Sequence, residues 1–411
     1  MSRTLAGLLA VAMLATVLSL LAPRADARMA AKDVKDKETN GRDLEALADK
    51  IVTQCLRIND KDLVHISGGV NDAELLEDLA VHVRKAGGQP QIELISARLS
   101  RRLIDDVPAK YDSQKPELVL KMADVITAMI GVESYDMESA MAGVAPERTA
   151  ALAKTAEPVT EKYLKRNVRQ IALGNGLYPL PERAKRFGIS QEELAKIFWA
   201  GVNVDYTKLQ ATGEEVKKIV GTGKKAHLTH ANGTDLTVKI EERPVYVSDG
   251  VISADKVKRG GVACQAWLPA GEVYVSPVPG TAEGKVVIDQ LTFDNKKVTG
   301  LTLTFKSGKL TKMEAKSGLE PIEKMYKAAG EGNGRDDFGA LDIGINPNVR
   351  LVPDSKMVSW VPTGMVSVGV GNNIWAGGDN KSPFAIYGNQ PGCTLKIDDK
   401  VLVDKGELKL N

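Results

Sequence analysis

Few residues in this chain have the types and spacing that catalysis requires, so those few decide what chemistry is open to it. There are four histidines in 411 residues. His65 and His82 fall on a strand-like and a helical stretch. His227 and His230 are three apart on a strand-like run, where such positions point to opposite faces and cannot easily share one metal ion. No His-Glu-x-x-His pair, Asp-rich Ca²⁺ loop or phosphate-binding glycine loop is present. A Gly-x-Ser-x-Gly nucleophile elbow is also missing. The Gly68-Gly69 pair follows a strand but lacks the G-x-G-x-x-G spacing of a dinucleotide site, which leaves it an ordinary strand-to-helix turn. The three cysteines, Cys55, Cys264 and Cys393, allow at most one disulfide and show no Cys-x-x-Cys spacing.

What remains is one turn-rich stretch, Trp267 to Gly388. Within it, Leu268-Pro-Ala-Gly-Glu-Val-Tyr-Val-Ser-Pro277, Ile343-Gly-Ile-Asn-Pro347, Gly364-Met-Val-Ser-Val-Gly-Val-Gly-Asn-Asn373 and Gly377-Gly-Asp-Asn-Lys-Ser382 place Gly, Pro and Asn turns between short apolar strands. That pattern converges loops on a single site.

The elements that must position this stretch follow from periodicity. Leu44, Leu47, Ala48, Ile51, Val52 and Cys55 have helical spacing. Strand signals at Leu63–Gly69, Pro90–Ser96 and near Ala128 alternate with helical ones, the second helix opening at Asp72 as a possible cap. This is the order of βαβ units. Beyond residue 221 short alternating segments dominate, and Phe293-Asp-Asn-Lys-Lys-Val and Phe305-Lys-Ser-Gly-Lys-Leu resemble hairpin turns. The expected architecture is an α/β N-terminal domain with a parallel or mixed sheet (41–180), then an α+β, mostly antiparallel C-terminal domain (181–411).

At the N-terminus, Arg3, the apolar run Leu5–Ala22 and Ala25-Asp-Ala27 form a signal-peptide pattern over 1–27, with a charged leader over 28–40. The alternative for the apolar run is an uncleaved anchor. The expectation is an exported protein, periplasmic or extracellular, with no membrane contact after cleavage. A net charge of +2 and 5% aromatic residues argue against nucleic acid as a partner.

Five short motifs carry a resemblance. Asp60-Lys-Asp-Leu-Val-His-Ile, Lys85-Ala-Gly-Gly-Gln-Pro, Gly233-Thr-Asp-Leu-Thr-Val with Glu242-Arg-Pro, Leu268-Pro-Ala-Gly-Glu-Val-Tyr-Val-Ser-Pro and Gly344-Ile-Asn-Pro, followed by Asn372-Asn373 and Gly377-Gly378, occur in one order. In that order they resemble the thermophilic metalloprotease family, the aminopeptidase T and aminopeptidase S type of dinuclear metal exopeptidases. The resemblance implies removal of N-terminal residues from peptides, two divalent ions (Zn²⁺, Co²⁺ or Mn²⁺) held by two Glu, two His and an Asp, and a homodimer.

Carried over position by position, it puts the first Glu ligand on Glu272. The second falls on Ala340, the first His on Ser367, and the final His-x-Asp pair on Ala385 and Tyr387. A tyrosine some members carry falls on Ile374. Four of five ligands are therefore replaced by side chains that cannot stand in for imidazole or carboxylate. Asp342 is a possible substitute ligand, two residues from Ala340 and on the same strand face. Glu272 is either a metal ligand or a leftover carboxylate bonded to loop amides. Ile374, Trp375 and Phe384 would line an emptied, mostly apolar pocket. No catalytic residue is assigned. The functions that follow are an exported aminopeptidase-family protein with lost or altered catalysis, a non-catalytic binder of a peptide or small molecule, or a structural partner of an active paralogue.

Overall fold

The computed structural model describes residues 43–410; the expected signal peptide and leader, 1–40, lie outside the described residues. The first strands, β1 (Leu63–Gly69), β2 (Gln89–Ile95), β3 (Ala128–Val132) and β4 (Arg169–Leu173), alternate with helices. Strand β5 (Lys225–Thr229) and β6 (Asp235–Lys239) form a hairpin, followed by β7 (Val245–Ser248), β8 (Gln265–Leu268) and β9 (Glu272–Val275). Then come the meander β10 (Glu283–Phe293), β11 (Lys296–Lys306) and β12 (Lys309–Glu314), and β13 (Phe338–Gly344), β14 (Val366–Gly371) and β15 (Ala385–Asn389). Strands β16 (Thr394–Ile397), β17 (Lys400–Asp404) and β18 (Glu407–Leu408) complete the chain.

Three sheets result: a parallel one in the order β2-β1-β3-β4-β8, and two antiparallel ones, β12-β11-β10-β6-β5-β16-β17-β18 and β15-β14-β13-β9-β7. The α/β region followed by antiparallel sheets is the expected fold class. The linear division at residue 180 does not hold for the sheets, because β8 lies far beyond it and supplies the fifth parallel strand, pairing Gln170 with Gln265 and Leu173 with Leu268.

Local chemistry accounts for the punctuation. Asp294 and Asn295, and Ser307 with Gly308, take left-handed φ values at the two hairpin tips, the conformation that a tight turn with the right-handed strand twist demands. Gly188 (φ 71°) ends the helix Pro181–Phe187, and Ser190 accepts from the Glu193 amide at 3.0 Å to start Gln191–Val202. Asp72 sits at its helix start but makes no side-chain cap; its carboxylate instead accepts from the Tyr178 hydroxyl at 3.0 Å. Cys55, Cys264 and Cys393 are all buried and free, so no disulfide joins them.

One core runs through the parallel and antiparallel layers. In the parallel sheet Val64, Ile66, Ala128, Ile130, Ile171, Leu173, Ala266 and Leu268 face it. Among the described residues no helix is long and apolar enough to cross a membrane.

Candidate functional site

Strand alternation gathers the expected ligand positions. In the β15-β14-β13-β9-β7 sheet, Glu272 pairs with Gly344 and with Ser248, while Tyr274 pairs with Asp342 and with Tyr246. Asp342 also pairs with Ser367, and Gly369 with Tyr387. Cross-strand partners share a face, as do residues two apart. Glu272, Asp342, Ser367, Tyr387 and Ala385 therefore lie on one face of one sheet, with Ala340 at the bulge in β13. Glu272 and Asp342 are diagonal neighbours there, and both are buried, at 0% and 2% exposure.

That face is filled by aromatic rings. Tyr274, Ala340 and Ala376 form a small cluster of their own, packed by Tyr246, Trp267, Trp375 and Tyr387. Tyr274 stacks on Tyr246 at 5.8 Å and meets Trp267 at 5.8 Å and Trp375 at 5.4 Å. Trp375 in turn meets Tyr387 at 5.6 Å and Trp267 at 6.3 Å. These separations and tilts are those of attractive ring pairs. At the rim, the Arg259 guanidinium stands 4.1 Å above the Tyr246 ring.

The polar groups are tied down. The Tyr387 hydroxyl donates to the Asn372 carbonyl at 2.9 Å, Ser367 donates to Asn389, and the Ser276 hydroxyl donates to the Ala376 carbonyl at 3.1 Å. The other acidic residues near the expected site are engaged elsewhere: Asp336 with Tyr326 and Arg335, and Asp337 with Lys309 at 2.6 Å. Asp379 is exposed.

A cleft of about 830 Å³ opens beside this face. Asp342, Ser367, Trp375, Tyr387 and Asn389 reach its floor, and the helix Pro181–Phe187 and the segment 351–358 form walls. The walls are charged in both signs, with Arg183, Arg186 and Lys356 against Glu138, Glu182 and Asp289. Glu272 does not reach the cleft. Of the residues expected to line a pocket, Trp375 does so here, whereas Ile374 lines a second cavity against the parallel sheet. Phe384 lines neither. It is 1% exposed and packs edge-on against Tyr326 at 5.3 Å, because it has the opposite strand parity to Ala385 and Tyr387.

The residues present do not fit a dinuclear transition-metal centre. Two carboxylates share the face without an imidazole, and among the described residues no three His, Cys, Asp or Glu side chains come together in a metal-binding group. The histidines lie elsewhere: His82 contacts Glu45 and Asp49, and His227 sits 2.8 Å from Asp235 at the surface. Sequence reasoning did not anticipate that Tyr246, Tyr274 and Trp267 would be the filling; they come from three strands, Trp267 from the parallel sheet, and only Tyr274, two residues from Glu272, carried a hint.

The fold and the motif order converge on one family. A family model described as thermophilic metalloprotease (M29) matches residues 40–332. The chain belongs to the thermophilic metalloprotease family. The M29 match stops before Ala340, so it covers Glu272 but none of the four substituted ligand positions. Two solved structures share the fold. AmpT (aminopeptidase T) from Thermus thermophilus superposes with a TM-score of 0.68 at 17% identity, covering 89% of this chain and 98% of that one. A 2,5-dihydroxypyridine dioxygenase from Pseudomonas putida KT2440 superposes with a TM-score of 0.59 at 12% identity, covering 90% and 97%. No curated protein matches the chain. M29 membership thus supplies an aminopeptidase-family scaffold, and the present residues decide what the scaffold does.

Proposed function

We propose that this M29 member no longer hydrolyses peptides and instead binds a peptide or other small molecule in its 830 Å³ cleft. The observation that carries this is the filled face: Glu272 alone remains of five ligand positions, and Tyr274, Trp267, Trp375 and Tyr387 occupy the region around it. A metal-activated water needs open coordination positions and at least three protein ligands in a typical catalytic site, and the face offers two carboxylates. That two structures of this fold are named for peptidase-type and dioxygenase chemistry supports separating fold from activity. The cleft's size is in the range of small-ligand pockets.

The test is metal content and turnover of the purified mature chain. Elemental analysis is expected to find less than one transition ion per chain, and aminoacyl chromogenic substrates with added Co²⁺, Zn²⁺ or Mn²⁺ should give no turnover above buffer. Two bound ions per chain, or turnover abolished by Glu272→Gln, overturns the proposal. One specific observation favours a second reading: Glu272 and Asp342 share a face, which suits a single hard cation on carboxylate oxygens. Calorimetric Mg²⁺ or Ca²⁺ binding lost in Asp342→Asn would select it. We also read the chain as exported, on its N-terminal pattern, which N-terminal sequencing of the mature protein from its native host tests. A homodimer, implied by family resemblance, is tested by its mass in solution.

A further inference from the structure

The parallel sheet has two unlike faces. Register places His65, Met129, Gln170 and Gln265 in one row across β1, β3, β4 and β8, and Ser67, Gly131, Ala172 and Trp267 in the next. This face is polar where its reverse is wholly apolar. A buried polar group costs free energy unless something bonds it, so a row of them under a helix calls for partners.

The partners are incomplete. His65 is 3% exposed, with Nε2 lying 3.0 Å from a Glu93 carboxylate oxygen. Despite that proximity, neither Nδ1 nor Nε2 completes a hydrogen bond. A neutral imidazole has one donor and one acceptor nitrogen, so the ring in that form has an acceptor to offer. The Gln265 side-chain oxygen is likewise buried without a partner. Both residues line a partly open cavity of about 230 Å³, room for several waters.

The cavity is built rather than left over. Its roof is the helix Pro146–Lys165, which presents small side chains, Ala153 and Ala156, towards the sheet. Its floor is Gly131, where an added Cβ would meet nothing closer than the Ser67 hydroxyl at 3.8 Å. Tyr163, Met129 and Trp267 give it apolar walls. At its rim Glu157 and Glu161 share one cation, Lys381, whose Nζ lies 3.6 Å from Glu157 and also contacts Glu161. Two carboxylates against one ammonium leave a negative excess. The cavity shares Trp375 with the cleft, and Ile374 lines it, but none of the five expected metal-ligand positions does.

We propose that this cavity binds a small primary amine. An ammonium group offers three donors and no acceptor, which matches two orphaned acceptors and an anionic rim. Its hydrocarbon body fits the space above Gly131, and the indole of Trp267 favours a nearby cation. Neutral molecules of the same shape lack the charge, and anions meet acceptors and carboxylates.

The experiment titrates the full mature chain with isoamylamine, benzylamine and putrescine, and with isoamyl alcohol as the uncharged isostere. Calorimetry and tryptophan fluorescence report binding, since Trp267 and Trp375 both line the cavity. At least one amine is expected to saturate at one site per chain, at least tenfold more tightly than the alcohol. Gln265→Leu and His65→Leu should each weaken it tenfold or more. Gly131→Val, which fills the space without touching an acceptor, should abolish binding while leaving the melting temperature within a few degrees. Absence of saturable binding by all three amines, equal affinity for amine and alcohol, or amine binding that survives Gly131→Val overturns the proposal. If His65→Leu fails to fold, the Gly131 and Gln265 variants decide alone.

Discussion

Two sheet faces in this molecule bury polar side chains, and they do so in opposite ways. On the β13–β14 face, Glu272 is buried among a set of interlocking rings, while its neighbour Asp342 borders the cleft. On the parallel sheet, His65 and Gln265 lie under a helix of small residues that leaves open space. The first sheet carries the positions where an M29 protein would hold metal, and aromatic side chains pack around the one expected ligand kept there, Glu272. The second carries no such positions, yet keeps room for a guest. The first face meets its buried polar groups with close packing, and the second leaves open space beside them.

The comparison breaks first at Tyr274. Nearly all of this ring is buried at the centre of the aromatic cluster, so Tyr274→Ala should lower stability by roughly 4 kcal/mol in urea denaturation. A loss below about 1 kcal/mol would mean that the rings do not hold the face closed. The next effect contrasts two strand glycines. A Cβ at Gly369 would sit 2.0 Å from the Ile386 carbonyl oxygen, whereas one at Gly131 meets only Ser67 at 3.8 Å. Gly369→Ala is expected to cost about 3 kcal/mol by overpacking, and Gly131→Ala less than about 1 kcal/mol, by the same measurement. Equal costs would erase the distinction between a packed face and an open one.

The smallest effect asks whether the difference is confined to those faces. Burial pushes the thiols of Cys55, on the N-terminal side of the core, and Cys393, on the C-terminal side, up to about 12, and raises that of Cys264 as well. A raised folded-state value means that the neutral thiol dominates in the native state at pH 8, with a thiolate fraction on the order of 10⁻⁴ for the first two. Native protein should therefore react with a disulfide reagent at pH 8 only as fast as it opens. The same shift makes stability fully present below the ordinary thiol value and lost as pH climbs from about 9 towards 12. Rapid labelling of Cys393 with slow labelling of Cys55 would show that the antiparallel region is looser throughout.

Much of this was legible in the chain. Buried-strand signals set between helical stretches predict the parallel strands, and Asp294-Asn295 and Ser307-Gly308 mark hairpin tips that the backbone then adopts. Parity places Asp342 beside the Glu272 face for the same reason. Other features needed long-range information. The four residues of β8 carry no sign that they pair with β4, nearly a hundred residues away, because short strands do not encode their neighbours. Phe384 looked like pocket lining from its position in the motif, but parity sends it into the core. His65 was readable as a buried strand residue; its meaning came only when Gln265 arrived in the same row from β8.

That late strand has a consequence for anyone who cuts this protein. Only residues 269–271 separate β8 in the parallel sheet from β9 in the antiparallel one. The two layers are stitched together at their middle rather than joined by a tether. A fragment ending at residue 180 would keep β1 to β4 but leave the β4 edge bare, a template for pairing with other chains. It would also lack Gln265 and Trp267, and with them one wall of the cavity. Truncation at the apparent boundary yields an open-edged sheet, not a domain.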